Sequence, residues 1–196
     1  MCLTFKPLPE SFYKQPTLDL AKALLGMILV KTTESGTSSG IIVETEAYLG
    51  AVDRAAHSFQ NRRTKRTEVM FGKPGLVYTH TMHTHCLVNV VSEEEGVPEA
   101  VLIRAVEPYS GVGLMYERRP VEKHTNLTSG PGKLTKALGI TMDDYGRAFY
   151  EPPLFIAKGK PPAEIAQGPR IGIPNLGEAR DCPYRFWVRG NKFVSR

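Results

Sequence analysis

The chain has 196 residues, 41% hydrophobic and 23% charged, the composition of an ordinary folded protein and not of a disordered, collagen-like or disulfide-stapled one. At about 150 residues per domain the length predicts a single domain over 1–196, long enough to bury roughly 70% of its unfolded surface. Twenty-five Lys and Arg against twenty Asp and Glu leave a net charge of +5, a mild bias toward anionic partners. No run approaches the roughly 18 consecutive apolar residues of a membrane-spanning helix, and MCLTFKPLPE lacks the features of a secretion signal. Cys2, Cys86 and Cys182 are odd in number and widely spaced, so reduced thiols in a cytoplasmic protein are expected.

Pro16 and Gly26 bracket apolar residues at helical spacing (Leu18, Ala21, Leu24, Leu25), predicting a short amphipathic packing helix over 17–25. Segments 27–33 and 40–49 are rich in Ile, Val and Thr, the pattern of two strands joined by a turn over 34–39. The β-like stretch 76–91 is too long for one regular strand and is expected to bend or carry a bulge. A strand is predicted over 100–107, a helix near 112–118, and another helix over 133–138 after Ser129-Gly-Pro-Gly132. Segments 154–157, 184–188 and 193–195 read as short strands divided by Gly and Pro. Strands outnumber helices without regular alternation, which predicts one α+β domain around a curved, largely antiparallel β-sheet with flanking short helices.

Strand geometry places Glu44, Glu46 and Tyr48 on one face. Two carboxylates there mean either a solvent-facing edge or a general base flanked by a structural carboxylate. Arg104 interrupts the apolar run 101–106 and calls for an anionic partner such as Glu46. His80, His83 and His85 admit three readings: surface histidines, contacts to a substrate base, or metal ligands with Glu46. No His-Glu-x-x-His or Cys-x-x-Cys pattern supports the metal reading. Between Arg54 and Arg66 lie five basic residues and no acid, either a solvated loop or a phosphate-contacting surface. Gly130-Pro131-Gly132-Lys133 is either a helix cap or one phosphate contact. Walker, Rossmann and Gly-x-Ser-x-Gly patterns are absent.

Seven collinear blocks then matter together: 42–50 (IVETEAYLG), 53–58 (DRAAHS), Met70-Phe71, 101–108 (VLIRAVEP), 129–134 (SGPGKL), 169–172 (PRIG) and 185–190 (RFWVRG). In this order and spacing the chain resembles the alkyladenine (3-methyladenine) DNA glycosylase family, in a bacterial-type, minimal form. The resemblance implies a single-domain enzyme that needs no cofactor or metal, extrudes a damaged purine from double-stranded DNA and hydrolyses its N-glycosidic bond. Carried over residue by residue, Glu46 corresponds to the base that activates water; Arg104 and the Ile171 main-chain carbonyl correspond to groups that hold that water. Tyr48 corresponds to one wall of the base pocket, His57 to a histidine on the base edge or its nucleotide, and Asn89 to the asparagine that disfavours the amino group of guanine. Vertebrate-type members carry tyrosines where this chain has His80, Met82 and His83. His80 then replaces the second stacking aromatic, and either Met82 or His83 replaces the wedge left in the DNA.

On this reading Arg62, Arg63, Lys65, Arg66 and Lys133 grip phosphates, and no obligate protein partner or membrane is involved. The expected location is the cytoplasm, at the nucleoid. No lysine adjoins Glu46 in the sequence, so a monofunctional glycosylase that leaves the abasic site uncut is expected. Two other functions are weighed: a metal-dependent phosphodiesterase using His83, His85 and Glu46, and a non-catalytic nucleic-acid-binding module.

Overall fold

The computed structural model describes residues 4–173 and 177–195, so Cys2 lies outside the described residues. In chain order the regular elements are α1 (Thr17–Ala23), β1 (Ile28–Thr33), β2 (Gly36–Tyr48), β3 (Val77–Met82), β4 (His85–Ser92), β5 (Glu99–Ser110), α2 (Val112–Arg118), α3 (Pro131–Leu138), β6 (Leu154–Ala157), β7 (Ile165–Gly168) and β8 (Arg185–Val188). No described helix is long and apolar enough to cross a membrane.

β2 organises the molecule. One edge pairs with β5; the other pairs with β1 along residues 36–41 and with β8 along residues 44–46. The sheet therefore forks in the middle of β2, one arm continuing to β6 and the other to β7, while β5 leads through β4 to β3. Every strand pairing is antiparallel, and with three short helices against it the sheet forms a single-domain α+β fold.

α1 forms where apolar spacing predicts it. Leu20, Ala21, Leu24 and Leu25 are buried in the main core with Ile42, Ala47 and Ile103, each large aliphatic side chain contributing about 1.5–3 kcal/mol of burial. The helix stops at Gly26, whose φ of +84° is left-handed and where an added Cβ would stand 2.2 Å from the Lys160 carbonyl oxygen. Only glycine meets both demands.

Two expectations need correction, and one strand was not anticipated. The 76–91 stretch is two strands and not one bent strand: it reverses at His83-Thr84, with Met82 paired to His85. His83 takes φ +53° there, a conformation that such turns usually give to Asn or Gly; no such dipeptide marks the turn. Segment 193–195 forms no strand. Instead Phe193 packs on Val43 and Ala105, and Ser195 docks on Glu44. β7 was not expected, because its half-exposed Ile-Ala-Gln-Gly carries little strand pattern. Beyond these, β2 starts at Gly36, so the β1–β2 connection is tighter than the sequence implied.

The pairing of β2 with β5 is irregular around Glu44, with register shifts between Ile42, Glu44 and Thr45. Ile42 lies in the main core and Thr45 donates to the Ala21 carbonyl at 2.8 Å, so residues three apart face one side. A bulge of this kind re-aims side chains next to functional sites. It turns Glu44, Glu46 and Tyr48 together toward the opposite face.

Candidate active site

Glu44 and Glu46 are both fully buried, which removes the solvent-facing reading. Burial of two carboxylates is tolerable only with donors and countercharge. Glu44 accepts from Arg104 Nε at 3.1 Å, Arg185 Nε at 2.7 Å, the Ser195 amide at 2.6 Å and the Ser195 hydroxyl at 2.9 Å. Glu46 accepts from the Ile171 amide at 2.7 Å on Oε1 and from the Tyr48 hydroxyl at 2.9 Å on Oε2, and Arg104 Nη1 stands 3.3 Å from Oε1. Arg104 is thus shared between the two carboxylates, closer to Glu44 than to the Glu46 expected from sequence. The atom of Ile171 that engages Glu46 is the N–H. Glu44 is saturated by fixed groups; a carboxylate has about four lone-pair sites, so Glu46 keeps capacity for one more donor.

In front of Glu46 opens a cavity of about 260 Å³ lined by Tyr48, His57, Tyr78, His80, Asn89, Arg104 and Ile171, with Met70, Leu87 and Leu102 among its apolar walls. The volume sits just below the usual range of about 300–1,000 Å³ for small-ligand sites, and its apolar lining with a few converging polar groups is their usual pattern. Of the seven residues expected at the centre, Arg104, Ile171, Tyr48, His57, His80 and Asn89 line it, and Glu46 stands behind the lining, bonded to Tyr48, Ile171 and Arg104.

Another wall of the cavity is built by hairpin register. Tyr78 pairs with Asn89 and His80 with Leu87 across β3 and β4, so alternate residues share the cavity face. His80 stacks on Tyr78 with centroids 5.3 Å apart and meets His57 edge-on at 4.7 Å. His57 comes from the 50–71 loop, which is docked by Ser58 donating to the Pro98 carbonyl at 2.7 Å and by Asp53 accepting the Leu49 and Ala55 amides. Burial, with the Arg66 and Arg62 charges, pushes His57 down to about 4. Burial, with His57 and Arg66, pushes His80 down to about 3. Both rings are neutral at pH 7. Burial and the Glu46 carboxylate raise the Tyr48 phenol.

Around the mouth the basic residues separate into groups. Arg62 and Arg66 line a shallow groove with Arg54 on the outer side of His57. Arg63 is bound to Glu68 through Nε and Nη2 and lies 4.8 Å from the centre of the Phe71 ring. Lys65 is exposed nearby, its carbonyl accepting from the Tyr145 hydroxyl at 3.2 Å. On the other side of the cavity, Met82, His83, His85, Arg119, Lys133 and Lys136 line a second groove. Lys133 donates to the Asn126 side chain. Gly132 lets α3 approach this hairpin, since an added Cβ would lie 2.7 Å from that of His85. Met82 is 49% exposed at the shared rim of cavity and groove. Among the described residues no cluster of three or more His, Cys, Asp or Glu could hold a metal ion; His83 and His85 are not brought to Glu46.

Several contributors escaped sequence reasoning. Arg170 is buried, bonded to both oxygens of Asp53 and to the Ala47 carbonyl, and its guanidinium lies 4.7 Å from the Tyr48 ring centre and 5.3 Å from that of Tyr184. One face of Tyr48 is therefore already occupied by a cation, which limits the cation–π gain available to a charged ligand. Arg170 and Asp53 belong to recognised blocks, but 117 residues separate them, and no local signal announces their pairing. Arg185 and Ser195 likewise meet Glu44 only through the fold. Cys86 and Cys182 are unpaired and half-buried.

The profile of the family described as methylpurine-DNA glycosylase (MPG) matches residues 11–192. A protein of Oceanobacillus iheyensis is 67% identical over 192 residues, 98% of this chain and 97% of that one. One of Bacillus subtilis is 64% identical over 190 residues, 97% of each chain, and one of Listeria monocytogenes is 50% identical over 185 residues, 94% of this chain and 89% of that one. All three carry the name "Putative 3-methyladenine DNA glycosylase". The chain belongs to the methylpurine-DNA glycosylase family.

Proposed function

We propose that the protein is a DNA 3-methyladenine glycosylase of base-excision repair that releases alkylated or deaminated purines from double-stranded DNA. Its substrates on this reading are 3-methyladenine, 7-methylguanine, hypoxanthine and ethenoadenine. A base inside a duplex hides its glycosidic bond, so the nucleotide must first swing out, at a cost of a few kcal/mol that damage lowers. The base enters between Tyr48 and the His57–His80 wall. Glu46 accepts a proton from a water as its oxygen bonds to the sugar C1′, and the electrons of the C1′–N bond leave with the purine. The same carboxylate opposes the positive charge that builds on the sugar. Arg104 and the Ile171 amide fix its orientation.

The observation that carries this reading is a fully buried carboxylate held directly behind a base-sized cavity by three groups that line it. The two basic grooves flanking the mouth suit phosphates on either side of an extruded nucleotide. Met82 is favoured over His83 as the wedge, because it is apolar and reaches both the cavity rim and the groove. Among the described residues no lysine lines the cavity, which supports a monofunctional enzyme.

The test is to incubate the pure protein, with chelator present, with duplexes carrying each lesion and to look for free base. Release of free base with the strand intact is expected. Strand scission that chelator abolishes would instead indicate the phosphodiesterase, and tight binding without release the non-catalytic module. Borohydride trapping of a protein–DNA adduct would refute the monofunctional mechanism.

A further inference from the structure

The hydrogen bonds behind the histidine wall have a direction. The Asn89 amide nitrogen lies 2.9 Å from the Tyr78 main-chain carbonyl. A carbonyl only accepts, so the NH₂ end of Asn89 must point there. The same nitrogen is 3.3 Å from His80 Nδ1, so that ring nitrogen faces a donor and must itself be the bare acceptor. Tyr78 is buried, and its hydroxyl has one partner among the described residues, His57 Nδ1 at 2.7 Å. If His57 donated in that bond, the phenol proton of a side chain only 2% exposed would be left without an acceptor among the described residues, at a cost of about 1–3 kcal/mol. The phenol therefore donates, and His57 Nδ1 is bare as well.

A neutral imidazole carries one N–H, which in both rings must then sit on Nε2. Among the described residues neither Nε2 has a protein partner, yet neither belongs with the sealed unpartnered atoms found there, Thr79 Oγ1 and Arg170 Nε. Both nitrogens are therefore reached from outside, in rings that line the cavity.

We infer that Tyr78 and Asn89 are positioning residues that lock His57 and His80 in the Nε2–H form, making this side of the cavity a hydrogen-bond donor edge. Such an edge takes a ring nitrogen or carbonyl oxygen of an extruded purine and disfavours an exocyclic amino group turned toward it. A site built on donors discriminates well, because the wrong partner leaves a buried N–H unpaired. The substrate half of the inference rests on the glycosylase reading; the tautomer half does not.

Two measurements separate them. Long-range ¹H–¹⁵N correlation spectra of histidine-labelled protein at pH 7, assigned with His57→Gln and His80→Gln, report which nitrogen of each ring is protonated. Both rings should show protonated Nε2. Tyr78→Phe, which removes one hydroxyl, should change the pattern of His57 and leave His80 alone, and Asn89→Ala should do the reverse. In parallel, hypoxanthine presents a carbonyl at position 6 where 3-methyladenine presents an amino group. Tyr78→Phe should lower the release of hypoxanthine relative to 3-methyladenine by about five- to tenfold, the worth of one hydrogen bond. Protonated Nδ1 on either ring in the unmodified protein overturns the lock. Release of 3-methyladenine without any release of hypoxanthine, or an unchanged ratio in Tyr78→Phe, overturns the donor edge. Absence of all base release with the expected spectra would reject the glycosylase reading and leave the lock standing.

Discussion

Glu44 and Glu46 sit two residues apart on one strand, equally buried, and substitution to glutamine should affect them in opposite ways. In Glu46→Gln the amide oxygen keeps the Ile171 N–H and the Arg104 contact, while the NH₂ turns to the Tyr48 hydroxyl, which can accept. Stability should fall by about 1–3 kcal/mol, because the Tyr48 phenol proton loses its acceptor. Base release, deprived of its proton acceptor, should fall about 10²- to 10⁴-fold, or about 3–5 kcal/mol of barrier. In Glu44→Gln the NH₂ must instead face one of the donors from Arg104, Arg185 and Ser195, and two guanidiniums lose their shared countercharge. Breaking a buried ion pair in this way costs about 3–5 kcal/mol. At roughly 2–4 °C per kcal/mol for a chain of this size, Tm should drop by about 6–20 °C. Thermal melts paired with single-turnover release from a one-lesion duplex check both. More than a tenth of normal release in Glu46→Gln, or an unchanged melt in Glu44→Gln, would refute this division of labour.

Replacing Arg62 and Arg66 together by Ala should flatten the salt dependence of DNA binding by about two units of log–log slope, at roughly 0.9 per phosphate contact. Arg63→Ala should change it by well under one unit, because Arg63 is already paired with Glu68; equal effects in a salt titration would contradict that assignment. His80, held near 3 in the folded protein, takes up its proton more readily when unfolded. Its contribution is therefore intact above the ordinary histidine value of about 6.5 and is lost as pH falls toward 3. Denaturant melts at pH 7 and 4.5 should show this loss, and His80→Phe should reduce it. Asp53→Asn should cost about 3–5 kcal/mol by stranding buried Arg170. It should also slow base release, since Arg170 backs the Tyr48 ring; a normal rate in a destabilised variant would remove that second role.

Much of this site was legible in the sequence because its centre is local. Glu44, Glu46 and Tyr48 share a strand face through period-two geometry, and an arginine inside an apolar strand demands an acidic partner, so Arg104 announced its neighbourhood. The bulge at Glu44 was not legible, since no glycine marks it. Nor was the double claim on Arg104, because Arg185 and Ser195 arrive from the far end of the chain. The 76–91 stretch shows the limit most clearly: its composition reads correctly as β, but a His-Thr turn has no strong signature. Treating it as one bent strand left His83 within the strand, whereas His83 forms the turn itself.

That turn has a consequence for how such a protein can diversify. The rungs Tyr78–Asn89 and His80–Leu87 lie inside the ladder, while His83 and Thr84 project beyond its last rung, Met82–His85. Residues past a final rung can be swapped, added or removed without shifting the rungs behind them. Under the proposed reading the wedge, Met82, belongs to that last rung and not to the turn, so the turn beyond it can vary in length while the wedge and the chamber behind it keep their places.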